Sequence, residues 1–307
     1  MTAKTIQGAV VQAAPAAFDL DRSLEKALDL IATAAAQGAR LIVFPEAFLS
    51  GYPKGADFGV RVGMRSREGR ELFRLYFESA VDVPGPVVDR LCDAARDRAA
   101  DLVIGVVERE GGTLYCSALF IDAEGRFAGK HRKLVPTAME RVIWGFGDAT
   151  TLGVRTLSAG RAGAAICWEN YMPLLRAHLY RHGVQFYCAP TVDDRDSWIS
   201  SMRHIAIEGR CFVLSACQFS RRRDYPAGYA PVQGDDPDTV LIRGGSVIAD
   251  PFGELLAGPD TSGEKILHAG LDLRRIIEGK FDLDTAGHYA RPDVFTLAVH
   301  LPPSAPR

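Results

Sequence analysis

Apolar residues along the chain follow two spacings, and segments of the two kinds alternate. Short continuous apolar runs are typical of buried strands, whereas apolar residues that recur about every three to four positions are typical of a helix with one buried face. The first helical pattern lies between Asp21, a suitable N-cap, and Gly38, a suitable stop. Its apolar positions are Leu24, Ala27, Leu28, Ile31 and Ala35.

The two patterns continue toward the end of the chain. They predict strands at residues 6–14, 40–44, 102–107, 114–121, 126–130, 162–166, 184–189, 211–217, 245–249 and 266–271. They predict further helices at residues 85 to about 99, 173–182 and 197–209. Asp122, Glu124 and Gly125 would supply the turn of a hairpin. Strands that alternate with helices, together with a hairpin, predict an α/β fold in which helices cover two sheets.

No segment of the sequence looks like a linker between domains. Residues 221–238 are polar and contain proline and glycine, which favours a surface loop over a domain boundary. The sequence shows no internal repeat, and its hydrophobic content of 47% can form a substantial core. We therefore expect one domain over residues 1–307.

Charge and cysteine content narrow the possible partners. Lys and Arg total 36 against 38 Asp and Glu, which gives no basic footprint for nucleic acid or an anionic membrane. The apolar stretch 8–18 is interrupted by Gln12 and Pro15, which argues against a signal peptide, and no apolar run approaches the about 18 residues of a membrane span. The six cysteines form no CxxC pair, and the histidines show no metal spacing. We expect reduced thiols, a cytoplasmic protein, no cofactor and a small-molecule partner.

Three side chains with catalytic potential follow predicted strands: Glu46, Lys133 and Cys167. Ligand sites of α/β folds gather at the carboxyl ends of strands, so these distant positions can converge. Each residue also has an ordinary explanation, as a helix cap, a solvated surface charge and a small core residue respectively. Cys167, however, joins a predicted strand to a helix, where free N–H groups and the helix dipole would lower the pKa of its thiol.

Longer strings around these residues favour the catalytic interpretation. They are FPE at 44–46, HRKLVPT at 131–137, WGFGD at 144–148 and CWENYMP at 167–173. These strings resemble the nitrilase family of the nitrilase/amidase superfamily. The similarity extends along nearly the whole chain, through LSGYP at 49–53, CAPT at 188–191, HIAIEG at 204–209 and GHYARPD at 287–293. The chain departs from the family pattern at Ala149, where glycine is expected, and in its short tail after Pro292.

The resemblance implies a four-layer αββα sandwich, with 1–307 as a single carbon-nitrogen hydrolase domain, and a Glu-Lys-Cys triad that falls on Glu46, Lys133 and Cys167. In this triad the cysteine attacks the nitrile carbon, the glutamate takes the thiol proton and activates water, and the lysine stabilises the tetrahedral charge. Glu140 matches a second glutamate of the family that orients the lysine or helps to position substrate. The alternative for Glu140 is an ordinary ion pair with Arg141.

Two further residues in the matching strings are candidates for substrate binding. Trp168 follows the nucleophile, and Tyr52 lies in the string at 49–53. Trp168 can instead serve only in packing. Glu169, the next residue, can affect substrate or simply place a favourable charge at a helix N-terminus. Cysteines 188, 211 and 217 are interpreted as inert core residues.

Three functional hypotheses follow. The first is a nitrilase that forms a thioimidate and then a thioester, with some amide as a by-product. The second is an amidase or carbamoylase with the same triad, and the third is a catalytically silent assembly protein. The presence of all three triad residues argues against the silent protein. The resemblance also implies a homodimer that builds larger homo-oligomers or spirals.

Overall fold

The computed structural model describes residues 5–301. Within that range the helices are α1 (Leu20–Ala36), α2 (Arg67–Glu78), α3 (Pro86–Arg98), α4 (Pro173–Arg181), α5 (Asp196–Gly209) and α6 (Arg274–Asp282). The strands are β1 (Thr5–Gln12), β2 (Leu41–Val43), β3 (Val60–Arg61), β4 (Met64–Arg65), β5 (Val81–Asp82), β6 (Asp101–Glu110), β7 (Thr113–Ile121), β8 (Phe127–Arg132), β9 (Val154–Thr156), β10 (Arg161–Ala164), β11 (Phe186–Cys188), β12 (Phe212–Ser215), β13 (Phe219–Arg221), β14 (Val240–Arg243), β15 (Val247–Ala249), β16 (Leu255–Ala257) and β17 (Lys265–Asp272).

Two large sheets form the centre of the molecule. The first has the strand order β17-β1-β2-β6-β7-β8, with β5 beside β6, and the second has the order β16-β15-β12-β11-β10-β9. Each sheet is built on three parallel strands, which are β1, β2 and β6 in the first and β10, β11 and β12 in the second. The crossovers include α1 and α3 in the first sheet, and α4 and α5 in the second. The other strands of both sheets pair antiparallel, except β5, which pairs parallel with β6.

Three groups of buried residues separate four layers. One group combines Val10 and Val43 of the first sheet with Ala164 and Leu214 of the second, so the two sheets pack face to face. A second group joins the other side of the first sheet to α1 and α3. A third joins α4 and α5 to the second sheet. The order helix, sheet, sheet, helix confirms the predicted αββα sandwich.

Every strand and helix that the apolar pattern predicts is present, with ends shifted by a few residues. The predicted N-cap of α1 was wrong. Asp19 caps this helix, because its backbone is extended and its carboxylate accepts a hydrogen bond from the Arg22 N–H at 3.0 Å. Asp21 lies inside the first turn instead, where its charge still favours the helix dipole.

The pattern missed α2 and α6. Helix α2 buries only Gly69 and Tyr76, and α6 buries only Ile276 and Gly279, so neither shows a continuous apolar face. Among the described residues, no helix is long and apolar enough to cross a membrane.

Candidate active site

The three predicted triad residues all follow strands in the structure, as expected. Glu46 lies three residues beyond the end of β2, Cys167 lies three residues beyond the end of β10, and Lys133 directly follows β8. Because the two sheets pack face to face, these side chains meet between them. All three residues are buried, with Glu46 fully enclosed.

Lys133 joins two carboxylates at the centre of the site. Its Nζ donates to Glu46 Oε1 and to Glu140 Oε2, both at 2.7 Å. Burial alone would lower the pKa of Lys133, but the charges of Glu46, Cys167 and Glu140 together raise it well above its usual value. Lys133 is therefore a fixed positive charge within a water-poor site.

Glu46 is poised to exchange a proton near neutral pH. Burial is the main cause that raises its pKa, to about 7, with a further contribution from the charge of Glu140, while Lys133 opposes the shift. Its Oε2 atom is buried and accepts no hydrogen bond of ordinary length from the described residues. The Cys167 thiol is close enough to lower the Glu46 pKa. A carboxylate with this pKa can act as both base and acid in one catalytic cycle.

Cys167 occupies the strand-to-helix junction in a strained backbone conformation. Its φ of 50° lies in the left-handed region, its N–H donates to the Pro190 carbonyl at 2.8 Å, and a short 3-10 helix begins at this residue. The predicted lowering of its pKa was wrong. Burial and the charge of Glu46 raise the thiol pKa, and they outweigh the opposing effect of Lys133. The Cys167 side chain is therefore a thiol at neutral pH, and it would need a base to act as a nucleophile.

Glu140 belongs to this cluster and does not pair with Arg141. Its Oε1 accepts from the Tyr52 hydroxyl at 2.9 Å, and its Oε2 accepts from the Thr137 N–H at 2.6 Å as well as from Lys133. Arg141 instead donates to the Pro136 carbonyl. Glu140 thus contacts Lys133 through one carboxylate oxygen and Tyr52 through the other.

Trp168 points away from this cluster. It is 43% exposed, its indole N–H donates to Asp193 Oδ2 at 2.9 Å, and the Arg195 guanidinium lies 4.9 Å from the centre of its ring. The side chain therefore lies on the protein surface beside Cys167 rather than among the buried charges.

Glu169 has a larger role in the structure than the sequence suggested. Its buried carboxylate accepts hydrogen bonds from the Ile166 N–H at 2.8 Å and the Leu134 N–H at 2.6 Å, and it contacts His131 Nε2 at 3.0 Å. One side chain thus joins the segment that carries Cys167 to the segment that carries Lys133. Both ends of this link fall in the strings CWENYMP and HRKLVPT, but only the fold shows that they touch.

Two other contacts of Glu46 could not be found from the sequence. The Gln218 side-chain amide donates to the Glu46 backbone carbonyl at 2.7 Å, and the Cys116 thiol lies 3.6 Å from Glu46 Oε1. Gln218 directly follows the strand predicted at 211–217, and Cys116 lies within the strand predicted at 114–121, so neither stands out as a site residue in the sequence. Cysteines 188, 211 and 217 are buried and free, as expected of core residues, although only Cys188 lies within a strand.

A cavity of about 320 Å³ lies next to Glu140 and Tyr52. Its walls include the apolar side chains of Met139, Val142 and Ile143. Within residues 5–301 no cluster of three or more metal-ligating side chains is present.

Comparison with known proteins identifies the family. The model of the carbon-nitrogen hydrolase family matches residues 8–281. The chain is 57% identical to a nitrilase of Bradyrhizobium diazoefficiens, over 96% of this chain and 92% of that protein. It is 54% identical to an aliphatic nitrilase of Sinorhizobium fredii, over 97% of both chains. It is 53% identical to a bifunctional nitrilase/nitrile hydratase of Nicotiana tabacum, over 96% of this chain and 86% of that protein.

A solved structure supports the fold independently. The carbon-nitrogen hydrolase of Helicobacter pylori matches with a TM-score of 0.73 at 20% identity, covering 94% of this chain and 97% of the other. The chain therefore belongs to the carbon-nitrogen hydrolase family, in its nitrilase branch.

Proposed function

We propose that this enzyme hydrolyses an organic nitrile to the carboxylic acid and ammonia, with Cys167 as nucleophile, Glu46 as general base and Lys133 as the charge-stabilising group. The observation that carries the proposal is the buried Glu46-Lys133-Glu140 cluster beside a thiol at a strand-to-helix junction. Identities of 53 to 57% to proteins named as nitrilases support a nitrile substrate and do not favour the amidase hypothesis.

The first chemical step joins the Cys167 sulfur to the nitrile carbon. Glu46 takes the thiol proton as the S–C bond forms, and one π-electron pair of the C≡N bond moves to nitrogen. Glu46 then returns the proton to that nitrogen, which leaves a neutral thioimidate. Because the thiol pKa is raised by burial, proton transfer accompanies the attack rather than preceding it.

The second stage consumes two water molecules. Glu46 takes a proton from the first water as its oxygen adds to the thioimidate carbon, and Lys133 stabilises the developing charge of the tetrahedral species. Glu46 gives this proton to the nitrogen, then takes the proton of the new hydroxyl as the C=O bond forms and passes it to the nitrogen as the C–N bond breaks. Ammonia leaves, and a thioester remains. A second water, activated in the same way, releases the carboxylic acid and restores the Cys167 thiol.

A minor amide product is part of the proposal. It forms when the tetrahedral species expels the Cys167 thiolate before nitrogen leaves. The balance depends on which leaving group receives the proton held at Glu46. The name of the Nicotiana tabacum relative, a bifunctional nitrilase/nitrile hydratase, is consistent with such a partition in this family.

The substrate's organic group is proposed to bind beside Tyr52. This side chain lines the cavity of about 320 Å³, and its hydroxyl is bound to Glu140 at the edge of the buried charges. Trp168 is the second candidate for substrate contact, because it follows the nucleophile and is partly exposed. Glu140 is proposed to orient Lys133 through their shared hydrogen bond.

The proposed function is tested by supplying one nitrile and its matching amide separately to the same preparation. Acid, amide and ammonia are measured over time, with the Cys167→Ala variant as control. We expect the nitrile to give mainly acid and equal ammonia, and the amide to react slowly. A linear nitrile and a planar amide reach the tetrahedral species from different geometries, so one pocket does not serve both equally. Fast amide hydrolysis with negligible nitrile turnover would reject the proposal.

Assembly, location and domain extent complete the proposal. Exposed apolar side chains at Tyr171 and Leu174 lie on the 3-10 helix and α4 that follow the nucleophile, which favours a homodimer through this region as the unit of larger oligomers or spirals. A monomer alone at micromolar concentration by light scattering would contradict it.

Six free cysteines are consistent with a cytoplasmic enzyme. We treat residues 1–307 as one domain, since the family match already spans 8–281.

A further inference from the structure

Cys116 is a second buried thiol in the active site, and the reaction as proposed does not use it. It lies on β7 and, with Leu114, Ala118 and Phe120 of the same strand, faces the core between the sheets. Its Sγ lies 3.6 Å from Glu46 Oε1, in a geometry in which the thiol donates. Its backbone carbonyl accepts from the Lys133 N–H at 2.8 Å. One residue therefore contacts the general base and holds the backbone of the charge-stabilising lysine.

We propose that Cys116 is a positioning residue for Glu46: its thiol and the Lys133 ammonium hold Oε1, so that Oε2 is the oxygen that receives the proton of Cys167. This inference rests on the proposed role of Glu46 as general base.

The two carboxylate oxygens of Glu46 have different surroundings. Oε1 accepts from Lys133 Nζ at 2.7 Å and from the Cys116 thiol at 3.6 Å. Oε2 is equally buried and has no hydrogen-bond partner of ordinary length among the described residues. A carboxylate held by two donors at one oxygen has little freedom to rotate, because rotation would break both contacts. The unoccupied oxygen is then left to face the nucleophile.

Cys116 is suited to donate rather than to react. Burial, followed by the charge of Glu46, raises the pKa of its thiol well above the ordinary value, so it stays protonated. A thiol is a weak donor, which lets it orient the carboxylate without removing its basicity. The charged or titratable groups that interact with Glu46 are Lys133, Glu140, Cys167 and Tyr52, and a substitution at position 116 replaces none of these side chains.

The test compares Cys116→Ala with Cys116→Ser. The two side chains are close in size and leave a similar gap, but only serine retains a donor toward Oε1. A donor to the charged form lowers the pKa of a carboxyl group, so its loss raises that pKa. In the alanine variant we expect the acid limb of kcat/KM to move up by about half a pH unit, which lowers the ionised fraction of Glu46, and with it kcat/KM, about twofold at pH 7. In the serine variant we expect the limb to stay within about 0.2 unit of wild type.

Alkylation of Cys167 by iodoacetamide, located by peptide mass spectrometry, supplies a second pH profile that needs no nitrile turnover. We expect the pH profile of the alkylation rate to lie close to wild type in the serine variant and to shift to higher pH in the alanine variant. Identical profiles for the alanine and serine variants in both measurements would overturn the inference, since a purely structural effect of the gap is common to both. If wild type fails to hydrolyse nitriles, the proposed function fails, while the alkylation profiles still decide the role of Cys116.

Discussion

Glu46 and Cys167 occupy matching places in the two sheets, but the protein holds them in different ways. Each lies three residues beyond a strand of a three-strand parallel core. Cys167 is fixed largely by its own neighbourhood. The Asn170 side chain donates to its carbonyl at 2.7 Å, and the Pro190 carbonyl after the adjacent strand accepts its N–H.

Glu46 is fixed from a distance. Lys133 follows the edge strand β8, and Gln218 follows β12 of the opposite sheet. Cys167 is thus placed mainly by a local turn, whereas Glu46 is placed only when both sheets have packed together. Glu169 links the segment that carries Cys167 to the segment that carries Lys133, and Lys133 in turn contacts Glu46. Substitutions at Glu169 and Lys133 therefore test how much each site residue depends on distant contacts.

The largest expected effect is that of removing the proposed nucleophile. Cys167→Ala removes the atom that forms the covalent bond, so turnover and the covalent adduct seen by intact-mass spectrometry should both disappear. Cys188→Ala is the matched control, because this thiol is equally buried but points into the core. It should keep full activity and lose about 1 kcal/mol of unfolding free energy through a small cavity. Residual turnover in the Cys167 variant would show that another group can attack.

Replacement of the central lysine should be nearly as severe. Lys133→Arg keeps the charge, but a planar guanidinium does not fit a site in which one nitrogen contacts two carboxylates at 2.7 Å. We expect kcat to fall about 100-fold or more. Lys130→Arg, at a partly exposed ion pair with Glu108, is the control and should remain near wild type. An almost unchanged kcat for Lys133→Arg would return this residue to a structural role.

Weakening the link between the segments that carry Cys167 and Lys133 should have an intermediate effect. In Glu169→Gln, one amide oxygen must replace a carboxylate that accepts from Ile166 and Leu134, and the new NH₂ group would face a backbone N–H. We expect kcat to fall about tenfold to 100-fold with a much smaller change in KM, because the reacting groups lose alignment. Glu124→Gln, at an exposed pair with Arg126, is the control. Equal losses in both variants would argue against a specific link.

The difference between local and long-range placement also decides what the sequence can predict. The position of Cys167 was predictable, because an apolar run, a junction and a helix pattern are adjacent along the chain. The contacts of Glu46 were not. Cys116 and Gln218 are 70 and 172 residues away from it, and only the register of β7 and the packing of the two sheets bring them near.

The predicted direction of the Cys167 pKa shift was wrong because the prediction used only features that are local in the sequence. A helix terminus is a local feature and suggested a lowered thiol pKa, whereas burial and the charge of Glu46 come from the assembled fold and raise it. Local pattern likewise assigned the cap of α1 to Asp21, because it does not distinguish two aspartates that are two residues apart.

The next expected effect is a pH response that follows the titration of Glu46. Its pKa is raised to about 7, and only the ionised form can take the thiol proton. With an uncharged nitrile, kcat/KM should therefore fall about tenfold per pH unit below pH 7 and level off above it. An acid limb near pH 4.5, the ordinary value, would show that Glu46 is not the base or that the site is more open to water.

Folding stability should respond to pH in the opposite direction. The folded state binds the Glu46 proton more tightly than the unfolded chain does, so this group's contribution is complete below about pH 4.5 and is lost as the pH rises through about 7. Glu46→Gln removes the titration but keeps the shape of the side chain. The difference in urea midpoint, variant minus wild type, should therefore be larger at pH 8 than at pH 5. If the difference in urea midpoint between the variant and wild type is the same at both pH values, ionisation of Glu46 does not destabilise the folded protein. The pKa of Glu46 would then not be raised by its surroundings in the fold.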